Sequence, residues 1–163
     1  MDENFKTIMW QQFGAAIEML ENALIACPDK LWNGVSKFWY TGYHTLFYLD
    51  YYLSDSPDNF LPPAPFTLSE HDPAEVLPER IYTKEELLTY LEYGRQKCHD
   101  LIAGLTTEKA AQRFINEYRN YSLLEILLYN MRHVQHHAAQ LNLLLRQATN
   151  EAPKWVSRAK LSL

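Results

Sequence analysis

Apolar residues recur at intervals of three and four along the first part of the chain, and this spacing predicts two long helices. The first runs from Asp2 to about Ala26 and carries one apolar stripe on a single face. Pro28 ends it, because proline cannot donate to the helical hydrogen-bond ladder and disfavours helical backbone in the residue before it. The second helix is predicted from Ser36 to about Leu53, since its aromatic residues lack the strict alternation of a strand.

A proline-rich segment follows between Ser54 and Tyr82. It holds six of the eight prolines of the chain, a density that excludes a regular helix and leaves few backbone donors for a sheet. We therefore predict a long ordered connection or a lid. A crossover between bundle helices accounts for such a length, and long loops of this kind are often functional.

Two capping-box patterns mark the start of two further helices. Thr83 with Glu86 opens one of them, and Ser122 with Glu125 opens the longest helix, which continues to about Gln147. In a capping box the hydroxyl accepts from a free backbone N–H, and the carboxylate three residues later accepts from the N–H of the cap. The chain is therefore predicted to contain four substantial helices.

The remaining segments carry weaker patterns. The third helix ends at about Gly104, and residues 105–121 are less regular, with no convincing strand pair. The economical architecture is an all-α four-helix bundle with a long crossover, formed by one domain over residues 1–150. A tail over residues 151–163 follows, and its basic residues are interpreted as a solvated end: Lys154, Arg158 and Lys160.

Composition and charge narrow the class of protein. With 47% hydrophobic and 21% charged residues among 163, the chain has the composition of a globular domain. The formal net charge of −5 argues against a nucleic-acid partner, since such binding depends on clustered lysine and arginine. No run approaches about 18 uncharged apolar residues, and the N-terminus lacks the layout of a signal peptide. We expect no membrane partner and a cytoplasmic protein.

The two cysteines, Cys27 and Cys98, are far apart and form no CxxC motif. They signal neither a thiolate metal site nor a disulfide framework, so a reducing compartment is the simplest interpretation. Cys27 is interpreted as a helix-end packing residue. Cys98 lies on an apolar stripe with no motif that would lower its pKa, which favours a buried structural thiol over a nucleophile.

Three of the six histidines lie on the last long helix, within one short segment. His133 and His137 are about 40° apart on a helical wheel, close enough for both imidazoles to bind one ion. His136 lies to the other side of His133, and spacing alone does not choose between His136 and His137. Such a pair is often only a polar face, but these histidines lie among residues that should face the core, where an unpaired imidazole carries a desolvation penalty.

A third ligand would have to come from another part of the chain. His44 lies midway along the aromatic second helix, whereas His71 is in the proline-rich connection and His99 is late in the third helix. A single histidine at such a position is more often a core residue than a ligand. The choice of His44 therefore depends on what the whole pattern resembles.

The ordered set of motifs resembles the DinB/YfiT-like superfamily. The similarity includes His44 in the second helix, the start of the third helix near Thr83, and His133 and His137 followed by Gln140 in the last helix. The resemblance implies a dimeric four-helix fold with a three-histidine metal centre, usually zinc or nickel, open to a pocket. The implied ligands are His44, His133 and His137.

The resemblance also implies an activity. Characterised members depend on low-molecular-weight thiols, and they include bacillithiol and mycothiol S-transferases and a mycothiol-dependent maleylpyruvate isomerase. The first hypothesis is therefore a homodimeric metal-dependent enzyme that transfers a small thiol to an electrophilic small molecule, with the ion lowering the pKa of the thiol. One alternative is a hydrolase that uses water at the same ion, and another is a non-catalytic helical dimer that binds a partner. No catalytic residue is assigned beyond the ligands.

Overall fold

The computed structural model describes residues 1–74 and 76–163, and four long helices form its core. In chain order the helices are α1 (Glu3–Ala26), α2 (Asp29–Trp32), α3 (Phe38–Tyr52), α4 (Lys84–Ala103), α5 (Thr107–Ala111) and α6 (Leu123–Thr149). In cross-section α1 and α3 each pack against both α4 and α6. In the described part of the chain, none of these helices combines the length and the apolar character needed to cross a bilayer.

The all-α architecture predicted from the periodicity is confirmed, and the helix ends follow the predicted caps. The Thr83 hydroxyl accepts from the N–H of Glu86, while the Glu86 carboxylate accepts from the N–H of Thr83, which completes the capping box of α4. The Ser122 hydroxyl accepts from the N–H of Glu125 at the start of α6. Cys27 is buried at the end of α1, as expected of a helix-end packing residue.

The less regular region differs from the prediction, because it contains a strand pair. Strands β1 (Arg113–Ile115) and β2 (Asn120–Ser122) form a short antiparallel hairpin. Three-residue strands are too short to show an alternating pattern, which is why the sequence did not indicate them. The turn depends on Asn116, whose side-chain oxygen accepts from the backbone N–H groups of Tyr118 and Arg119.

Aromatic side chains order the proline-rich connection between α3 and α4. Phe66 is buried and stacks on Tyr90 of α4, with ring centroids 4.3 Å apart. The Tyr43 hydroxyl donates to the Thr67 carbonyl at 2.8 Å, and the Tyr48 hydroxyl donates to the Glu70 carbonyl at 3.2 Å. Two tyrosines of α3 therefore fix the part of the connection that lies over this helix.

Buried polar groups join α3 to its neighbouring helices. The Asn130 amide of α6 is fully buried and donates to the Leu49 carbonyl of α3 at 2.9 Å. On the other side of α3, the buried Asp50 carboxylate accepts from Lys97 at 2.5 Å and from the Tyr90 hydroxyl at 3.0 Å. These bonds satisfy groups that would be costly to leave unpaired in the core.

The C-terminal segment packs along α1. The N–H of Ala159 donates to the Gln11 carbonyl, the Trp10 indole N–H donates to the Leu161 carbonyl, and the N–H of Lys160 donates to Glu18. The basic side chains of this segment are exposed, as expected of a solvated end, whereas its backbone is held against the domain.

The bond between α6 and α3 generates a test of how the two helices are held together. Replacing Asn130 with leucine keeps the branched shape of the side chain but leaves the buried Leu49 carbonyl without this donor, so we expect the free energy of unfolding to fall by about 1–3 kcal/mol. Chemical denaturation measures the change. Asn142→Leu is the control, because Asn142 is on the same helix and, like Asn130, has a buried side-chain oxygen without a partner among the described residues, so the bond to Leu49 is what distinguishes Asn130. Equal losses in the two variants would contradict this role for Asn130.

Candidate metal centre

The structure brings His44 of α3 together with His133 and His137 of α6. One ligand atom from each imidazole lies within 4.8 Å of the others. The Nε2 atoms of His44 and His133 are 3.4 Å apart, and all three residues are half-buried. Among the described residues, this is the group of histidine, cysteine and acidic side chains that is close enough to hold a metal ion.

Hydrogen bonds orient two of the three imidazoles. The Nδ1 atom of His44 is 2.6 Å from the Glu70 carboxylate, and the Nδ1 atom of His137 is 2.7 Å from the side-chain oxygen of Gln140. Both partners accept, so Nδ1 carries the proton in each ring and Nε2 keeps a free lone pair. His133 differs, because its Nδ1 atom is buried without a partner among the described residues.

The spacing of the imidazoles fits a divalent ion. At zinc–nitrogen distances of 2.0–2.1 Å, two ligands of a tetrahedral site are about 3.3–3.4 Å apart. The His44 and His133 Nε2 atoms have this separation, at 3.4 Å. This pair therefore has the spacing of two ligands of one tetrahedral ion, and a His137 nitrogen lies within 4.8 Å of both, so the three histidines are close enough to hold a metal ion.

Burial keeps the two α6 imidazoles neutral. Burial, together with the smaller effects of the neighbouring His137 and His44, lowers the pKa of His133 to about 3. Burial also lowers the pKa of His137 to about 4, against the opposing effect of its bond to Gln140. A histidine must be neutral to bind a metal, so both side chains are ready to coordinate at neutral pH.

Glu70 contacts the candidate metal centre, and the sequence pattern did not indicate it. Its side chain is only 4% exposed and is directed at His44, although it comes from the proline-rich connection. A carboxylate that accepts from a ligating histidine fixes the orientation of the ring and raises its basicity. No local motif indicates this role, because the contact depends on how the connection folds over α3.

Aromatic rings form the wall beside the histidines. The Tyr48 ring is 4.9 Å from the His44 ring and 5.7 Å from the His133 ring. The Tyr52 ring lies 6.1 Å from that of His133. Burial is the main cause that raises the pKa of both tyrosines, so their hydroxyls stay protonated at neutral pH. The wall is therefore uncharged on this side.

The other candidates of the sequence analysis lie outside the cluster. His136 is exposed beside His137. His71, in the proline-rich connection, packs against the Tyr51 ring of α3, and His99 packs against the Trp10 ring. Cys98 is fully buried, and burial raises its pKa, so it is not poised to act as a nucleophile. The choice between His136 and His137, which spacing left open, is decided by the packing of α6 against α3.

Comparison with known proteins gives one finding. A family model described as the DinB superfamily matches residues 12–141, well over half of the chain. The matched range includes the three clustered histidines and Glu70. A search of curated proteins and a search of solved structures each found no match.

The contact between Glu70 and His44 predicts an effect on metal affinity. Glu70→Gln keeps an acceptor but removes the charge that raises the basicity of the ring, so we expect zinc to bind about 10–100-fold more weakly. A chelator competition assay measures the dissociation constant. Glu79→Gln is the matched control, since Glu79 is an exposed glutamate of the same connection. Unchanged affinity in Glu70→Gln would exclude the role assigned to this carboxylate.

The lowered pKa values of His133 and His137 predict that the metal-free protein loses stability in mild acid. Histidine in the unfolded chain has a pKa of about 6.5, so below that pH the unfolded state binds protons that the folded state does not. The stability that the neutral histidines contribute is therefore fully present above about pH 6.5 and decreases as the pH falls below it. For His133 we expect the free energy of unfolding to fall by roughly 1 kcal/mol between pH 7.5 and 5.5.

Denaturation at both pH values, in the presence of a chelator, measures this loss. His133→Asn removes one titrating group and should show a smaller pH dependence, whereas His136→Asn, at an exposed position, should behave like the wild type. The explanation fails if His133→Asn keeps the full pH dependence of the wild type.

Proposed function

The chain belongs to the DinB superfamily, and from this premise we propose that it is a divalent-metal-dependent enzyme that transfers a small thiol to an electrophilic substrate. The proposed ligands of the ion are His44, His133 and His137. Zinc or nickel is the proposed metal, because neutral imidazole is a suitable ligand for both. The proposed substrates are a low-molecular-weight thiol and a small electrophilic molecule.

The observation that carries this proposal is the number of ligands. Three histidines converge, and among the described residues no fourth histidine, cysteine or acidic side chain completes the group. Structural zinc sites are closed by four protein ligands, whereas catalytic sites have three and keep a position open. The side chain of His44 is 29% exposed, which supports access from solvent to the cluster.

In this proposal the histidines act as ligands and not as proton-transfer groups. When bound, the ion lowers the pKa of a coordinated thiol and so supplies the nucleophile near neutral pH. Glu70 and Gln140 hold two of the rings with Nε2 directed at the centre. The Tyr48 and Tyr52 rings exclude water from one side of the cluster. The resemblance also predicts a homodimer, and the proposed mechanism does not depend on this prediction.

Metal analysis followed by a thiol screen tests the proposal. We expect near-stoichiometric zinc or nickel in the wild type, and at least about a tenfold loss of metal in His44→Ala, His133→Ala and His137→Ala. His136→Ala is the control and should retain the metal. The loaded wild type is then incubated with electrophiles, with and without a small thiol, and the products are analysed.

The outcomes separate the alternative functions. Products that contain the thiol, formed only by the metal-loaded protein, support the transferase. Turnover that is unaffected by thiol would replace it with a hydrolase that uses water as the nucleophile. A wild-type protein that binds no metal after reconstitution would overturn the enzyme proposal and favour a helical partner-binding protein.

A further inference from the structure

Arg119 lies at the end of the β1–β2 turn, and its guanidinium is held by two tyrosines of the bundle. One of its nitrogens donates to the Tyr129 hydroxyl at 2.7 Å. Its central carbon lies 4.7 Å from the centre of the Tyr129 ring and 5.5 Å from that of Tyr52. Contacts of this kind with aromatic faces hold a guanidinium in place while leaving its other N–H groups free.

This cation has no carboxylate partner in the part of the chain that the structure describes. Among the described residues, no carboxylate lies within ion-pair distance of Arg119, although the side chain is only partly exposed. Other arginines of the chain are paired, Arg80 with Glu86 and Arg95 with Glu21. A partly buried guanidinium bound only by a neutral hydroxyl and two rings retains most of its capacity to bind an oxyanion.

The unpaired guanidinium is close to the histidine cluster. The Arg119 guanidinium carbon lies 5.5 Å from the centre of the Tyr52 ring. The His133 ring lies 6.1 Å from the same centre. The guanidinium and the histidine cluster therefore border the same aromatic side chain.

A second arginine, Arg132, directly precedes His133 on α6. Arg132 is exposed and, in the described part of the chain, has no ion-pair partner. It lines a cleft of about 650 Å³ together with Tyr129, which accepts from Arg119, and with His133. Glu70, the carboxylate at the cluster, is already engaged by His44. The surroundings of His133 thus carry cationic groups in a chain whose net charge is −5.

From this arrangement we propose that Arg119 binds a carboxylate of the substrate, so that the electrophile is a small organic acid held between the guanidinium and the three histidines. This inference rests on the proposed function and adds the substrate class. A guanidinium offers two parallel N–H groups to a carboxylate, which fixes the orientation of the acid as well as its position. Arg119 is a binding residue in this scheme, and it takes no part in proton transfer.

Binding of succinate, monitored by NMR of ¹⁵N-labelled protein, tests the proposal without measuring activity. Succinamide, the neutral analogue, is the comparison at constant ionic strength. We expect succinate to shift the Arg119 side-chain Nε signal and the backbone amides of residues 116–121, and to bind about tenfold or more tightly than succinamide. Arg119→Gln should weaken succinate binding by about tenfold, and Arg119→Lys should weaken it less, because it keeps the charge but loses the paired donors.

Arg113→Gln is the matched control. Arg113 belongs to the same hairpin, carries the same charge, and has its guanidinium bound to Asn120. It should leave succinate binding unchanged. Equal affinity for succinate and succinamide, or equal weakening by the substitutions at positions 113 and 119, would overturn the proposal. So would an Arg119→Gln variant that is less stable but binds succinate as the wild type does.

Running the titration on metal-free and zinc-loaded protein separates this inference from the proposed function. If the protein cannot bind zinc but succinate still shifts the Arg119 signal, the anion site is supported and the proposal of a metal-dependent enzyme is overturned. Suppose instead that the protein binds zinc normally but binds succinate equally well with and without the Arg119 side chain. This result would support the metal site and overturn the role of Arg119.

Discussion

The hydrogen bond from the Asn130 amide to the Leu49 carbonyl sets the relation between the two helices that carry the histidines. Asn130 lies one turn before His133 on α6, and Leu49 lies between one and two turns after His44 on α3. Because the bond is fully buried, sliding one helix along the other would leave a polar group unpaired in the core. This constraint favours the alignment in which the Nε2 atoms of His44 and His133 face one another.

Two opposing demands meet at the cluster. The imidazoles must be neutral to bind an ion, which burial in an aromatic environment achieves, and they must also be held in one orientation, which requires polar partners. Gln140 provides such a partner for His137 from the next turn of the same helix, and Glu70 provides one for His44 from the connection. The proline-rich segment is thus a structural part of the site, anchored by the hydroxyls of Tyr43 and Tyr48.

Charge is distributed unevenly around this centre. The chain is acidic overall, yet Arg119 and Arg132 near His133 lack carboxylate partners among the described residues. The hairpin that carries Arg119 packs on the core through the buried Phe114, and it brings a cation to the tyrosines beside the cluster. Because the Arg119 guanidinium lies on the Tyr52 ring, which also neighbours His133, a cation without a carboxylate partner among the described residues borders the uncharged wall of the candidate metal centre. This placement is the reason for proposing an electrophile that is also anionic.

The sequence by itself determined the four long helices, since apolar periodicity and the caps at Thr83 and Ser122 are local signals that tertiary packing did not override. It also placed candidate ligands on the last helix, where spacing alone left His136 and His137 equivalent, and the family resemblance then favoured His44 and His137. Only the tertiary structure shows that His137, and not His136, lies beside His44 and His133, because this depends on which face of α6 packs against α3. The contacts of Glu70 and Arg119 likewise arise from segments far apart in the chain, and no periodic or local pattern encodes such a contact.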